Sequence, residues 1–366
     1  MYGVELASLE HGHLPEGPRP DGTSAQPRLT IRDVAELAGV STATVSRVIN
    51  GRAEVSDKAR EAVMRVVREH GYSTNRTARG LSAGRTGLVG VTTPVVHHSY
   101  FAVILDGAGE ALYEHDMRMV LCPTHHEHER EVSLLERLMH GTTDGALLIL
   151  PEESSDELAA LLEHGYRFVI VDPLKRADAR VPTVSAAHSS GAGEAVEHLL
   201  SLGHRRIAAI TGPRGWIATE ERLRGYHGAL AAAGVMPDPQ LEVESDFHAK
   251  GGGRAAGQLF ELSDPPTAIF AFNDMLAIGA MRAARAWGIR VPDELSIVGF
   301  DDTFEASIVT PLLTTVRQPL AEMGRMAVNL LVRLLQNQRI EALHVELETK
   351  LVVRESTAPA AVRTRN

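Results

Sequence analysis

From Gly87 to about Arg354 the chain alternates short apolar runs with longer amphipathic stretches, and this alternation limits its fold more than any other feature. The apolar runs are Leu88–Thr93, Met119–Cys122, Gly145–Leu150, Phe168–Val171, Arg206–Thr211, Ala268–Phe272 and Ser296–Phe300. Between them, Phe101–His115, Glu129–His140, Ser189–Leu202, Thr219–Ala233 and Asn273–Trp287 carry apolar residues at helical spacing. Strands apolar on both faces, separated by helices of this length, form parallel sheets covered on both sides. About 270 residues of such text exceed what one sheet needs, so two similar Rossmann-like subdomains facing a cleft are expected.

The text before Gly87 is of another kind. Thr30 with Asp33 forms a capping box ahead of Ile31, Val34, Ala35, Leu37 and Ala38, and Gly39 stops that helix. Ser41 caps a second helix with Val45, Val48 and Ile49 inward, closed by Asn50-Gly51. Ser56 caps a third, carrying Ala59, Val63, Val66 and Val67. Three short helices with a tight turn after the first make an all-α helix-turn-helix domain. The expected layout is a disordered tail over 1–27, the helix-turn-helix domain over 28–73, a hinge or linker over 74–86, a two-subdomain α/β body over 87–356 and a second disordered tail over 357–366.

Charge follows that division. The chain carries 37 Lys and Arg against 47 Asp and Glu, a net -10 that by itself argues against a nucleic-acid partner. Residues 28–85, however, hold eleven bases and six acids, for +5, whereas the remaining residues, 86–366, are at -12 and the first 27 residues at -3. A small basic module thus precedes a large acidic body. The lone Cys122 excludes a disulfide framework and a thiolate zinc cluster, no apolar run is long enough to span a membrane, and the first 27 residues lack a signal-peptide pattern. The expected setting is cytoplasmic and nucleoid-associated.

A helix-turn-helix offers the start of its second helix to base edges and its caps to phosphates. Thr42, Ala43 and Arg47 face outward there: Arg47 suits guanine, and the methyl groups of Thr42 and Ala43 suit a thymine methyl. Ser41 and Ser56 offer hydroxyl and backbone N–H groups to phosphates.

The run Leu29-Thr-Ile-Arg-Asp-Val-Ala-Glu-Leu-Ala-Gly-Val-Ser-Thr-Ala-Thr-Val-Ser-Arg-Val-Ile-Asn50 resembles the head-piece of the lactose-repressor (LacI/GalR) family of bacterial transcription regulators. The likeness continues through Val55-Ser56, Gly71-Tyr72, Asn75-Arg76 and Ala78-Arg79-Gly80-Leu81, and into the body as far as Arg354. It implies a periplasmic-binding-protein-like core. It also implies DNA contacts at Thr30, Thr44, Asn50, Asn75, Arg76 and Ala78 besides those above. The segment from Asn75 to Gly84 matches a hinge that folds on operator DNA, and Leu81 matches a leucine wedged into the minor groove, where an apolar side chain among arginines kinks the duplex.

Ligands of open α/β sheets sit beyond the carboxyl ends of strands. Asp172, Asn273 and Asp301 follow such strands, and Arg222 lies on the helix after the strand ending at Thr211. Carboxylates and an arginine converging on one cleft suit the hydroxyls of a sugar, and Phe247 suits its apolar face. The resemblance supports Arg222, Asn273, Asp301 and Phe247, and adds Gln318. The sequence departs from the family at His97-His98-Ser99-Tyr100-Phe101, where His98 and Tyr100 are expected to alter specificity, and at Ala186-Ala187, where an Asp-Asn pair is usual.

Rival readings are weaker. His125-His126-Glu127-His128 reads as a solvated loop, because adjacent residues cannot all face one ion; no metal and no cofactor are expected. Lys250-Gly-Gly-Gly-Arg254 lacks the spacing of a phosphate loop and reads as a helix start. The resulting expectation is a non-enzymatic homodimeric repressor of carbohydrate-utilisation genes. Its partners are a near-palindromic double-stranded operator and a small-molecule effector, a sugar, with no membrane. The alternatives are a corepressor-dependent regulator answering a non-sugar metabolite or a protein partner, and, more distantly, a sugar-binding or sugar-processing protein.

Overall fold

The computed structural model describes residues 29–49, 54–70, 72 and 85–360. The chain divides into two compact units, residues 1–79 and 80–366. The sequence readings at Asn50, Asn75, Arg76, Ala78 and Leu81, the tail over 1–27 and the stretch 74–84 lie outside the described residues.

The first unit holds α1 (Ile31–Ala38), α2 (Thr42–Ile49) and α3 (Asp57–Glu69). The capping box of α1 is formed: Thr30 N donates to Asp33 Oδ2 at 2.6 Å, and Asp33 N donates to Thr30 Oγ1 at 3.4 Å. Gly39 leaves the helix at φ 65°, a left-handed conformation that a side chain would disfavour. Ser41 Oγ accepts from Thr44 N at 3.1 Å, and Ser56 Oγ from Ala59 N at 3.4 Å, so both expected caps are in place. Val34, Ala35, Val45, Val48, Val63 and Val66 make the core. Ile31 and Leu37 flank it, Leu37 at 52% exposure, because a helix of eight residues turns only a narrow face inward.

The second unit begins with β1 (Leu88–Thr93), α4 (Ser99–Glu114), β2 (Arg118–Pro123), α5 (His128–Arg137), β3 (Gly145–Ile149), α6 (Ser155–Glu163), β4 (Phe168–Val171) and β5 (Thr183–Ala186). It continues through α7 (His188–Ser201), β6 (Ile207–Thr211), α8 (Ile217–Ala232), β7 (Glu242–Glu244), α9 (Ala249–Phe260), β8 (Ala268–Ala271), α10 (Asp274–Ala286), β9 (Ser296–Asp301) and β10 (Thr314–Arg317). It closes with α11 (Leu320–Leu335), β11 (His344–Leu347) and β12 (Lys350–Val352).

Two sheets result, ordered β11-β5-β4-β3-β1-β2 and β12-β10-β9-β8-β6-β7. The pairings are parallel except β10 with β12. In each sheet the order reverses beside the first strand, between β1 and β3 and between β6 and β8, which is where such folds open a ligand crevice. The chain passes between subdomains after β5, after β10 and between β11 and β12. Alternation along β3 divides the first core: Leu147 and Ile149 join the α4–α11 side, while Ala146 and Leu148 join the side covered by α5 and α6. The second sheet is buried in one large cluster with Phe270, Phe272, Phe300 and Tyr226.

The structure corrects some sequence expectations. The helix read over Glu129–His140 ends at Arg137 and continues as a π-helical turn over Leu138–Thr142. The tail read over 357–366 is held as far as Ala360: Thr357 Oγ1 pairs with His198 Nε2 at 3.0 Å, and Ala360 N donates to Leu202 O at 2.9 Å. The glycine run 251–253 lies at the start of α9, in line with its reading as a helix start, and a Cβ on Gly252 would sit 2.3 Å from Leu276 O, so glycine there lets α9 touch α10. His126 and His128 pair separately with Glu152 and Glu157, each at 3.0 Å. Among the described residues no three metal-ligating side chains converge, and no helix is long and apolar enough to cross a membrane.

Candidate functional site

Residues that follow the strands of both sheets line one cavity of about 560 Å³ between the subdomains. Asp172 comes just after β4 and Asp301 ends β9. Arg222 projects from the second turn of α8 and is 3% exposed. Its Nη1 donates to Phe272 O, its Nη2 lies 3.3 Å from His188 Nδ1 and 3.8 Å from Asp301 Oδ1, and its guanidinium stacks 3.9 Å from the centroid of Phe300.

A chain of polar contacts crosses the cleft floor. Tyr100 donates to Asp172 Oδ2 at 2.6 Å, and Asp172 Oδ1 meets His188 Nε2 at 2.9 Å. A guanidinium only donates, so His188 Nδ1 accepts from Arg222, and its Nε2–H is the donor to Asp172. On the far side Gln318 Nε2 donates to Asp301 Oδ1 at 2.6 Å. Tyr100, Asp172, Arg222, Asp301 and Gln318, five of the effector residues read from sequence, are therefore brought together, with His188 as the link. Arg222 Nε and Gln318 Oε1 have no protein partner, so the floor retains one unsatisfied donor and one unsatisfied acceptor.

Burial sets the electrostatics. It pushes the Asp301 carboxyl up to about 7, against the opposing pull of Arg222 and Gln318. Burial pushes Asp172 up as well, but His188, Tyr100 and Arg222 outweigh it and hold that carboxyl below its ordinary value. Desolvation, then the Asp172 charge, drives the Tyr100 phenol well above 10, so it remains a donor. Behind Asp301, Asp274 is fully buried and raised well above the usual range by desolvation and by Asp301; it accepts from Thr303 N at 2.7 Å.

The walls are aromatic. Phe247, at φ 59°, lays its ring over Gly212, where a Cβ would fall 2.0 Å from its Cζ, and packs 5.5 Å from Trp216. His98 precedes α4 and reaches across the cleft to His248 at 5.7 Å between ring centroids; burial, then His97 and His248, lowers its pKa. Asn273 lines the cavity but spends its side chain locally: Oδ1 caps α10 at Leu276 N, 2.8 Å away, and Nδ2 donates to Phe247 O at 3.1 Å. It acts here by fixing Phe247.

Sequence reasoning missed His188, Trp216 and His248. Each stands at or just before a helix start that faces the cleft. The signal for His188 was its place after the short strand Thr183–Ala186, which went unread because Thr183 and Ser185 break the apolar run that marks Phe168–Val171.

In the first unit Ser41, Thr42 and Ala43 are exposed at the start of α2, Arg47 is exposed in its last turn, and Thr30 is exposed at the start of α1. Ser41, Thr44, Arg47 and Ser56 line a shallow hollow between the beginnings of α2 and α3. Backbone N–H groups, hydroxyls and a guanidinium gathered there suit an anionic backbone.

Residues 30–75 match the model for bacterial regulatory proteins of the lacI family, and residues 196–357 match a periplasmic binding protein-like domain. The transcriptional regulator DegA of Bacillus subtilis is 37% identical over 334 residues, covering 91% of this chain and 99% of its own. The chain belongs to the lacI family. Among solved structures, a Lac repressor dimer bound to operator and the anti-inducer ONPF superposes with a TM-score of 0.81 at 31% identity, covering 90% of this chain and 99% of that one. The regulator CelR in complex with cellobiose gives a TM-score of 0.70 at 36% identity, covering 90% and 100%. The lacI-family protein described here is a DNA-binding transcriptional regulator with a helix-turn-helix head and a two-sheet α/β body.

Proposed function

We propose that this regulator is a cytoplasmic homodimeric repressor that reads a near-palindromic operator and answers a sugar bound in the cleft. The carrying observation is the placement of Asp172 and Asp301, one from each subdomain, on either side of Arg222: a ring of hydroxyls donates to the carboxylates and accepts from the guanidinium, and so pulls the subdomains together. Phe247 and Trp216 offer a face for the apolar side of the ring. The CelR structure with cellobiose supports the ligand class, and the Lac repressor dimer on operator supports the assembly.

The reading is binding without turnover. Tyr100 and His188 fix the orientation of Asp172 and Gln318 that of Asp301, which suits carboxylates set to accept hydroxyls. The segments assigned here are a head over 28–73, a link over 74–86 and a sensor from residue 87 onward.

A thermal-shift screen of neutral mono- and disaccharides tests the proposal. A ligand bound at a hundred times its Kd stabilises the folded state by about 2.7 kcal/mol. At least one sugar is expected to raise the Tm of the wild type and not that of Arg222→Ala. A panel without any shift overturns the sugar reading.

A further inference from the structure

We infer that the paired helices α4 and α11 carry the state of the cleft to the link that leads to the head, with Arg85 as the positioning residue at their foot. This rests on the reading of the cleft as an effector site. Both helices begin at the cleft. Ser99 and Tyr100 lie in the first turn of α4, and Gln318 stands two residues before α11. Ser99 reaches into the second subdomain, its Oγ donating to Glu305 Oε1 at 2.8 Å, while Gln318, the residue after β10, is held within that subdomain by Asp301 at 2.6 Å and leads straight into α11. A shift of the second subdomain therefore pulls on both helices at once.

The pair is built to move as one body. A Cβ on Gly107 of α4 would lie 2.0 Å from Ala321 O, and one on Gly324 of α11 would lie 2.1 Å from Ile104 O, so the two backbones are in direct contact. Arg325 pairs with Glu110 at 3.0 Å, and Asn329 Oδ1 meets His115 Nε2 at 3.1 Å further along. Sixteen residues make α11 about 24 Å long. Interlocked helices shift as rigid units instead of bending.

The far end meets the chain where it enters the body. Arg85 Nη2 donates to Leu335 O, the last residue of α11, at 2.6 Å, a favourable place for a cation at a helix C-terminus. Asp144 holds the next two residues, accepting from Thr86 Oγ1 and Gly87 N, both at 2.9 Å. At the following Gly145 a Cβ would meet the Arg167 carbonyl oxygen at 2.6 Å, and the α11 side chains of Leu331 and Leu335 lie just beyond at 3.0 and 3.5 Å, so α11 packs directly over this anchor. The start of the body is thus fastened to the last turn of the helix that begins beside Asp301.

Linkage makes the coupling reciprocal, so it can be read without an effector: DNA binding must change the cleft. The chain has two tryptophans, and Trp287→Phe leaves Trp216 on the cleft wall as the reporter. The probe is a DNA duplex selected by the full-length protein from a random pool. Saturating duplex is expected to change Trp216 emission in the Trp287→Phe protein. Adding Arg85→Ala is expected to remove most of that amplitude, with Arg85→Lys restoring part of it. Asp144→Asn is expected to act in the same direction. A full amplitude in Arg85→Ala, even with weaker duplex affinity, overturns the proposal and makes Arg85 a DNA contact; no emission change in the Trp287→Phe parent on duplex binding overturns it too. Selection of no duplex would instead refute the operator reading, and the sugar reading fails separately in the thermal-shift screen.

Discussion

Asp172 and Asp301 occupy matching places in the two subdomains: each comes at or just after the end of the fourth strand of its own half, with backbone φ of 53° and 114°, and Arg222 lies between them. Left-handed backbone at a non-glycine residue is strained, and here it turns two carboxylates toward one cleft. Their environments differ. Asp172 has His188 and Tyr100 and stays ionised, whereas Asp301, deeply buried, titrates at about 7.

Effector affinity should therefore depend on pH through Asp301. Below about 7 this carboxyl is protonated and no longer accepts two hydroxyl bonds; above it the carboxylate does. Affinity for a sugar found in the screen is expected to rise by up to about tenfold per pH unit between pH 5.5 and 7 and then to level off. Isothermal titration across pH 5.5–8.5 measures this. Asp301→Asn should bind more weakly and flatten the profile; a wild-type profile already flat would refute the role given to Asp301.

Stability should carry a second pH dependence, from Glu153. This side chain is 3% exposed, both its oxygens lack a hydrogen-bond donor, and burial together with neighbouring Glu131 pushes it to about 8. The unfolded group titrates near 4.5, so between pH 4.5 and 8 the folded state holds a proton that the unfolded state has released. Stability is then lost as pH rises through that window. Glu153→Gln keeps the site neutral. Its advantage over the wild type in urea melts should be small at pH 5 and reach a few kcal/mol at pH 8.5; an equal difference at both values would show that Glu153 does not titrate in this window.

The architecture was largely legible in the sequence because strands buried on both faces are continuous apolar runs: Gly145–Ile149 and Phe168–Val171 are such runs. Among the elements that went unread are β7 and β12, three residues each at sheet edges, β5 and β10, whose Thr and Ser residues interrupt the apolar run, β11, whose exposed positions break it, and the helices α6 and α11. The capping signals at Thr30, Ser41 and Ser56 were local and therefore readable. The site was legible only in part for the opposite reason. Asp172, Arg222 and Asp301 announce themselves by following strands or opening helices, but the partner that joins them, His188, is fixed by two crossing segments that no local pattern relates.

Close contact between α4 and α11 gives a test of packing. Replacing Gly107 by Ala places a methyl group 2.0 Å from the Ala321 carbonyl, and backbone cannot step aside as a side-chain tip can. Overpacking of this kind typically destabilises by about 1–3 kcal/mol, and the upper part of that range is expected. Gly109→Ala, on the same helix with nothing within 4 Å, is the control and should be neutral or slightly stabilising, since alanine favours helix. Similar urea midpoints for the two variants would refute the close contact.

Arg47 gives the test at the head. It is exposed in the last turn of α2, one turn on from the exposed Ala43, while Val45 and Val48 hold the helix in the core. Among the described residues no ion pair holds its guanidinium, which suits a guanine edge, where a bidentate contact contributes about 1–3 kcal/mol of discrimination. Arg47→Ala should weaken binding to the selected duplex by that amount, leave binding to random-sequence DNA within about twofold, and keep the melting temperature unchanged. Competition binding at a fixed salt concentration separates these outcomes, because phosphate contacts weaken with salt on both DNAs alike. An equal loss on selected and random duplexes would make Arg47 a phosphate contact and move base reading to Thr42 and Ala43.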